Sequence, residues 1–372
     1  MAERFSLKDH LFNAETVGQL ADEYGAAVPG FDAVLFQKQV LAGFGSRELM
    51  ARLEWIADCV HAQLRSDFNA LADQLEAAMP PPLDPCKTDD DFGQFIHAVP
   101  GILAVRHGLE HHRPRAMALL YQATQRFSME FYIRPFLNRW PAETLAVLRG
   151  WADDPNYHVR RLVSEGTRPK LPWAKAVHLG PDQTLPLLDS LHADPTRYVT
   201  RSVANHLNDI SKTDPTSVLR TLERWRQTGT QDAKELAWMT RHALRTLVKA
   251  GHEGALATLG FRADIPVVAT LKITSENLRI GDSLIFECTL TASKALPVLV
   301  DYRIDFARPG GRRAEKVFKL KQGQAAPDQL SYFSKSHKIK ENATTFTWHP
   351  GRHRLIIQVN GVDRAEAEFE LA

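Results

Sequence analysis

Three segments of the chain can be written one above another: ADDPNYHVRRLVSEGT (152–167), HADPTRYVTRSVANHL (192–207) and AKELAWMTRHALRTL (233–247). Asp154-Pro155 answers Asp194-Pro195, Val159 answers Val199, and Arg161, Arg201 and Arg241 recur every 40 residues. Any one match is easily accidental; an Asp-Pro pair, a valine and an arginine in agreement are not. A period of about 40 residues in helical sequence marks HEAT-like helix pairs, each burying its apolar face only against its neighbours. Stacked pairs curve into an α-solenoid whose concave face is a binding surface. The proline after each aspartate is read as a first-turn helix residue, where its missing N–H costs nothing, with the residues before it as the cap.

A chain of 372 residues exceeds one compact core, so two or three domains are expected. Residues 1–78 are helical by pattern, with Leu49, Leu53, Ile56, Val60 and Leu64 at three- and four-residue steps. MPPPLDPCKTDDD (79–91) interrupts with four prolines and an acidic cluster, a loop by chemistry. Helical pattern then returns from 92 to about 262. Beyond GFRADIP (260–266) the character changes to short runs rich in Val, Ile, Thr and Phe: VVATLKITSENL, SLIFECTLTA, LPVLVDYRIDF, EKVFKLKQ, TTFTWHP and HRLIIQVNG. Turns such as RIGD, RPGG and NGVD separate them. Such strands point to a sandwich of immunoglobulin type. The expected fold is therefore multidomain: an all-α HEAT-like repeat solenoid over 1–262, containing the loop 79–91, and an all-β immunoglobulin-like sandwich over 264–372.

Hydrophobic residues at 44% and charged residues at 24% exclude wholesale disorder. No apolar run approaches the roughly 18 residues of a membrane span, and MAERFSLKDHLF has no signal-peptide apolar core. No membrane partner is expected. Cys59, Cys86 and Cys288 are odd in number and lack metal spacing, which fits plain thiols in a reducing cytoplasm. HGLEHH (107–112) is read as turn or surface histidines, because no acidic or cysteine cluster stands nearby to complete a metal site. A net charge of +2 does not itself argue for nucleic acid, so local clustering must.

Arg161, Arg201 and Arg241 would lie in a row, one per helical pair, and guanidinium groups fork onto phosphate oxygens. Arg160, Arg168, Lys170, Lys212 and Arg245 add cations nearby. Repeat arginines also serve to bridge neighbouring repeats, and spacing leaves both roles open. RFSMEFYIRPFL (126–137) sets Glu130 among aromatic and apolar residues with an arginine on either side. Glu165 sits one helical turn beyond Arg161, so both face one way. The following GTRPKLPWA ends the helix and delivers Trp173 from a loop. Carboxylates, arginines and a tryptophan suit a cationic, planar ligand, since the indole face and the carboxylate both attract positive charge. NHLNDISK (205–212) puts Asn208 and Asp209 at the equivalent helix end.

FSLKDHLFN, FSMEFYIRPFL, HVRRLVSEGTRPKLPWA and VANHLNDISK together resemble the AlkC-type DNA alkylation repair glycosylases, relatives of the AlkD group. SKSHKIKENATTFTWHPGRHRLIIQVNG (334–361) resembles the immunoglobulin-like C-terminal domain of a subset of that family. The resemblance implies hydrolysis of the N-glycosidic bond of cationic methylated bases, chiefly 3-methyladenine and 3-methylcytosine, in double-stranded DNA, leaving an abasic site without full base flipping. It implies no metal or nucleotide cofactor. Carried over position by position, it makes Glu130, Glu165, Trp173 and Asp209 catalytic and gives Phe131 a space-filling role in a distorted duplex. The methionine at 129 and Tyr132 depart from the family pattern and are read as altering pocket shape.

The DNA-contacting set is then Phe131, Arg160, Arg161, Arg168, Arg201, Lys212, Arg241 and the C-terminal Lys335, His337 and Lys338. SKSHKIK (334–340) is read as a loop or strand end whose cations close on the duplex. A monomer is expected, with no obligate protein partner, in the bacterial cytoplasm at the nucleoid. Against this stand a non-catalytic HEAT-repeat scaffold and a protein that binds damaged DNA without cutting it.

Overall fold

The computed structural model describes residues 6–87, 89, 92–308, 314–327, 329–341, 343 and 346–372. Thr88, Asp90 and Asp91 of the acidic loop lie outside the described residues. The chain divides into two compact units, Met1–Ile210 with Trp225–Met239, and Ser211–Arg224 with Thr240–Ala372.

The first unit is helical, as the periodicity requires. Its site-bearing part is three successive helices, Glu130–Arg139, Tyr157–Gly166 and Arg197–Ile210. They run in the same direction, because rising numbers on one meet rising numbers on the next. Arg161 reaches Glu130 while Arg134 reaches Gly166; Glu165 meets Ser202 while Arg168 meets Asp209. Between them run helices Pro141–Trp151 and Pro181–Leu191, which complete the pairs. Val159, Leu162, Val163, Val199, Val203 and Leu207 are buried, so the repeat valines are core residues.

The Asp-Pro pair works differently from the expectation. Helices Tyr157–Gly166 and Arg197–Ile210 begin two residues after Pro155 and Pro195, so neither proline lies in a first turn. The aspartate makes the turn instead. Asp154 Oδ1 accepts from Asn156 N at 2.8 Å, and Asp194 Oδ1 from Thr196 N at 2.8 Å. Asn156 then caps the first helix through His158 N. The same carboxylates tie consecutive repeats together: Tyr121 Oη donates to Asp154 at 2.9 Å and Arg160 Nε to Asp194 at 2.6 Å.

Among the described residues of the second unit, seven strands form two antiparallel sheets: β1 (Val267–Ile273), β2 (Ser283–Ala292), β3 (Leu296–Phe306), β4 (Ala314–Ala325), β5 (Ser331–Lys338), β6 (Gly351–Val359) and β7 (Val362–Leu371). Their orders are β1-β2-β5 and β4-β3-β6-β7. Phe286, Val300, Tyr302, Ile304, Trp348, Leu355 and Ile357 fill the space between the sheets. One strand expectation changes. The described part of TTFTWHP is not a strand, and Trp348 enters the core from irregular chain. SKSHKIK, read as a loop or strand end, is a strand end: its residues 334–338 finish the edge strand β5.

The last helices belong to this unit. Leu256 and Phe261 pack on Leu299 of β3. Gly251 and Gly361, both at positive φ, meet backbone to backbone, and a Cβ on Gly251 would stand 3.2 Å from Gly361 O. Asn360 Nδ2 donates to Arg262 O at 2.8 Å, and Arg364 to Ala263 O at 2.9 Å.

Candidate functional site

Five charged side chains alternate in sign across the three parallel helices. Glu130 stands in the first turn of helix Glu130–Arg139, where the helix dipole favours an anion. Its Oε2 accepts from Ser128 Oγ at 2.8 Å and from Arg161 at 2.8 Å. Arg161 also lies 3.8 Å from Glu165 Oε2, and its guanidinium sits 4.5 Å over the Tyr198 ring. Glu165 receives Arg168 on Oε1 at 2.5 Å and Ser202 Oγ on Oε2 at 2.6 Å. Arg168 closes the row on Asp209 Oδ2 at 2.7 Å. The order is Glu130, Arg161, Glu165, Arg168, Asp209: three carboxylates and two guanidiniums, a single negative charge in excess.

The three acids are not equivalent. The Glu165 side chain is 7% exposed, with both oxygens engaged. Burial opposes its charge; Arg161 and Arg168, with the hydrogen bonds from Ser202 and Arg168, outweigh burial and hold its carboxyl below the ordinary value. The Glu130 side chain is 19% exposed, and its Oε1 accepts no hydrogen bond among the described residues. Glu130 therefore has the oxygen that a ligand can reach. His206 backs the row: its Nδ1 lies 3.1 Å from Ser164 O, and burial, with Arg168 next, lowers its pKa to about 4. It is neutral at pH 7.

The arginines flanking Glu130 in sequence do not touch it. Arg126 donates to Pro80 O at 2.9 Å and fastens the proline loop. Arg134 is fully buried and donates to four carbonyls, those of Gly166, Arg168, Pro169 and Lys175, at 3.1, 2.7, 3.1 and 2.5 Å. Burial, and then the like charge of Arg168, lower its pKa to about 10, so it stays charged at neutral pH. This grip shapes the loop that carries Trp173. The tryptophan is 69% exposed at φ +63°, a left-handed conformation that costs about 1–2 kcal/mol without glycine. It lines an open groove of about 450 Å³ with Leu7, Lys8, Glu48, Met50 and Ala51. It is thus no core residue.

Other candidates are placed as follows. Phe131 is half-buried beside Tyr132. Arg160 is spent on the fold, through Asp194 and the carbonyls of Asp154 and Pro155. Arg201 is ion-paired with Asp89 of the acidic loop. Lys212 and Arg241 are exposed. Lys335 and Lys338 are exposed on β5, but His337 is not one of their number. Its Nδ1 lies 2.8 Å from Tyr302 Oη and its ring meets Phe318 and Trp348 edge-on. Burial, with Lys335 and Lys316, lowers its pKa to about 4, which corrects the reading of a histidine cation here. Met129 and Tyr132 are buried against Gly101 and shape the core, not a pocket. Among the described residues no His/Cys/Asp/Glu group has metal-binding geometry, and no helix is long and apolar enough to cross a membrane.

The family described as DNA alkylation repair enzyme matches residues 127–247, which hold the whole alternating row. The C-terminal immunoglobulin-like domain of YhaZ matches residues 267–372. A Bacillus subtilis (strain 168) relative, "Uncharacterized protein YhaZ", is 35% identical over 270 residues, covering 72% of this chain and 74% of its own. The solved structure of the Pseudomonas fluorescens alkylpurine DNA glycosylase AlkC, bound to DNA containing an abasic site analog, superposes with a TM-score of 0.86 at 34% identity. It spans 99% of this chain and 100% of that one. The chain belongs to the AlkC-type DNA alkylation repair family. Its immunoglobulin-like domain places it in the subset that carries one.

Sequence reasoning within this AlkC-type chain missed Ser128, Ser202, Tyr198 and the structural task of Arg134. A signal was present. Partners across repeats are 31 to 41 residues apart: Arg161 to Glu130 by 31, Ser202 to Glu165 by 37, Arg168 to Asp209 by 41. Scanning for polar complements near the repeat length finds them.

Proposed function

We propose that the protein is a DNA glycosylase of base excision repair that removes cationic alkylated bases, 3-methyladenine and 3-methylcytosine among them, from duplex DNA. The observation that carries this reading is the row of five charges with one carboxylate in excess, in a chain of the AlkC-type family. A base methylated on a ring nitrogen is already a good leaving group. As its C1′–N bond breaks, the bonding pair leaves with the base, which becomes neutral, and the sugar takes on positive charge. Glu130 stabilises that oxocarbenium-like centre with its open oxygen, and Glu165 and Asp209 add to the field. Water forms the new C1′–O bond and gives its proton to a carboxylate or to solvent, leaving an abasic site.

Trp173 offers its exposed face to the cation, and Phe131 fills the distorted duplex without full flipping of the base. Arg201, Lys212, Arg241, Lys335 and Lys338 are the backbone contacts in this reading; Arg201 must leave Asp89 to make its own. The reaction asks for no metal or nucleotide cofactor. We expect a monomer acting in the cytoplasm.

The test is release of free 3-methyladenine and 3-methylcytosine from methylated duplex by purified protein. Glu130→Gln should bind duplex normally and excise about 10²–10³-fold more slowly. Wild type that releases no base at high enzyme, yet binds DNA with steep salt dependence, is a damage reader; one that does neither is a scaffold.

A further inference from the structure

The repeat spacing presents Arg161 as one of a row of phosphate contacts, with Arg168 as a further cation nearby, but their surroundings do not suit that role. Their side chains are 13% and 14% exposed, against 32% for Arg201. A guanidinium that grips a phosphodiester needs its fork directed outward. Here Arg161 is directed at Glu130 and Ser128 and rests on Tyr198, while Arg168 is shared between Glu165 and Asp209.

We infer that Arg161 and Arg168 are positioning residues, which hold the three carboxylates in line so that Glu130 presents its open oxygen to substrate. The inference rests on the proposed glycosylase reading for its catalytic consequence, but not for its electrostatics. Glu165 is the group that reports it. Arg161 faces it from its own helix, Arg168 from the loop beyond, and Ser202, His206 and Asp209 from helix Arg197–Ile210. Glu130 and Arg134 approach from helix Glu130–Arg139. Among these the arginines and the Ser202 hydrogen bond favour its charge, the arginines most; burial, Glu130 and Asp209 oppose it. Without either arginine the Glu165 carboxyl takes up a proton at higher pH, and without Arg161 Glu130 also loses its anchor.

Two arms test this. The first titrates the glutamate carboxyls of the full chain by carbon NMR with side-chain-labelled glutamate, assigning Glu165 through Glu165→Gln. Arg168→Met should raise the Glu165 midpoint by at least one pH unit, Ser202→Ala by less, and Arg168→Lys should restore most of the wild-type value. The second follows single-turnover excision against pH at saturating enzyme. The acid limb should move to higher pH in Arg161→Met and Arg168→Met, with the salt slope of binding to undamaged duplex unchanged. A phosphate contact predicts the reverse: a salt slope smaller by about one and an unmoved acid limb. That result overturns the inference, as does an unshifted Glu165 in Arg168→Met. Wild type that excises nothing removes the glycosylase reading alone, since the NMR arm still decides the role of the arginines. Ser202→Ala keeps every charge and decides the matter if an arginine variant does not fold.

Discussion

Replacing Arg134 by methionine isolates what holds the Trp173 loop. The side chain is fully buried and faces four carbonyl oxygens, with no carboxylate in direct contact among the described residues. Hydrogen bonds from a charged donor contribute about 1.5–3 kcal/mol each. Against them stands burial of the guanidinium, whose pKa falls from 12.5 to about 10, a cost on the order of 3 kcal/mol. Methionine recovers that cost and some packing but strands the carbonyls of Gly166, Arg168, Pro169 and Lys175. Breaking a buried charged network of this kind costs roughly 3–5 kcal/mol. Urea unfolding, followed through the transition of the helical unit, should show a loss of that size. Arg134→Lys should fall between, because an ammonium has three donors and no fork. The loop has a second readout. Released from Arg134, Trp173 has no reason to keep φ +63°, so its fluorescence should shift and excision should drop further than stability explains. A loss below about 1 kcal/mol with unchanged tryptophan emission would refute the account of Arg134 as the anchor.

Further predictions concern charge elsewhere. Asp89→Asn frees Arg201 and should tighten binding to undamaged duplex by up to about fivefold at low salt, the scale of an exposed ion pair; equal affinities by fluorescence anisotropy would show that the pair does not compete with DNA. Lys335→Ala with Lys338→Ala should lower the log–log salt slope of duplex binding by about two if both meet phosphates, and by nothing if they only solvate an edge strand. Asp301, buried on β3, has its carboxyl pushed up to about 6 from 3.8 by burial, partly opposed by Lys319 and Lys249. A carboxyl raised on folding stabilises in its protonated form, so that stability is full below pH 3.8 and lost as pH rises through about 6. Asp301→Asn should therefore stabilise the second unit at pH 8 by up to ~3 kcal/mol, read as a higher thermal midpoint, and change it little near pH 4. Equal effects at both pH values would refute that assignment.

Deleting 264–372 is a poor test of the C-terminal domain. Leu256 and Phe261 pack on Leu299, and Asn360 and Arg364 hold the carbonyls of Arg262 and Ala263. Such a cut exposes apolar surface on the helices left behind, so lost activity would report damage to them as readily as a missing DNA contact. Point changes on β5 avoid this.

The helical repeat and its partner sandwich were legible because they are written in period. A 40-residue offset, apolar residues at helical steps and alternating Val, Ile and Thr specify elements that must stack on copies of themselves or pair edge to edge. Where alternation was weak the reading was incomplete: SKSHKIK reads as a loop or strand end and finishes β5, whose backbone completes a sheet, and TTFTWHP supplied the core tryptophan without becoming a strand in its described residues. The acids Glu130, Glu165 and Asp209 could be picked from motifs, but not what surrounds them. Whether an arginine meets a phosphate or a carboxylate depends on which side chains the neighbouring repeats bring within about 3 Å, and that distance is set by helix packing across 31 to 41 residues of chain. So the sequence by itself determined a helical stack, a sandwich and a set of acids. Only tertiary structure decided that Arg161 and Arg168 sit between those acids, that Arg134 holds a loop instead of Glu130, and that His337 is a half-buried imidazole on Tyr302, because charge pairing is a matter of proximity and burial that local pattern does not encode.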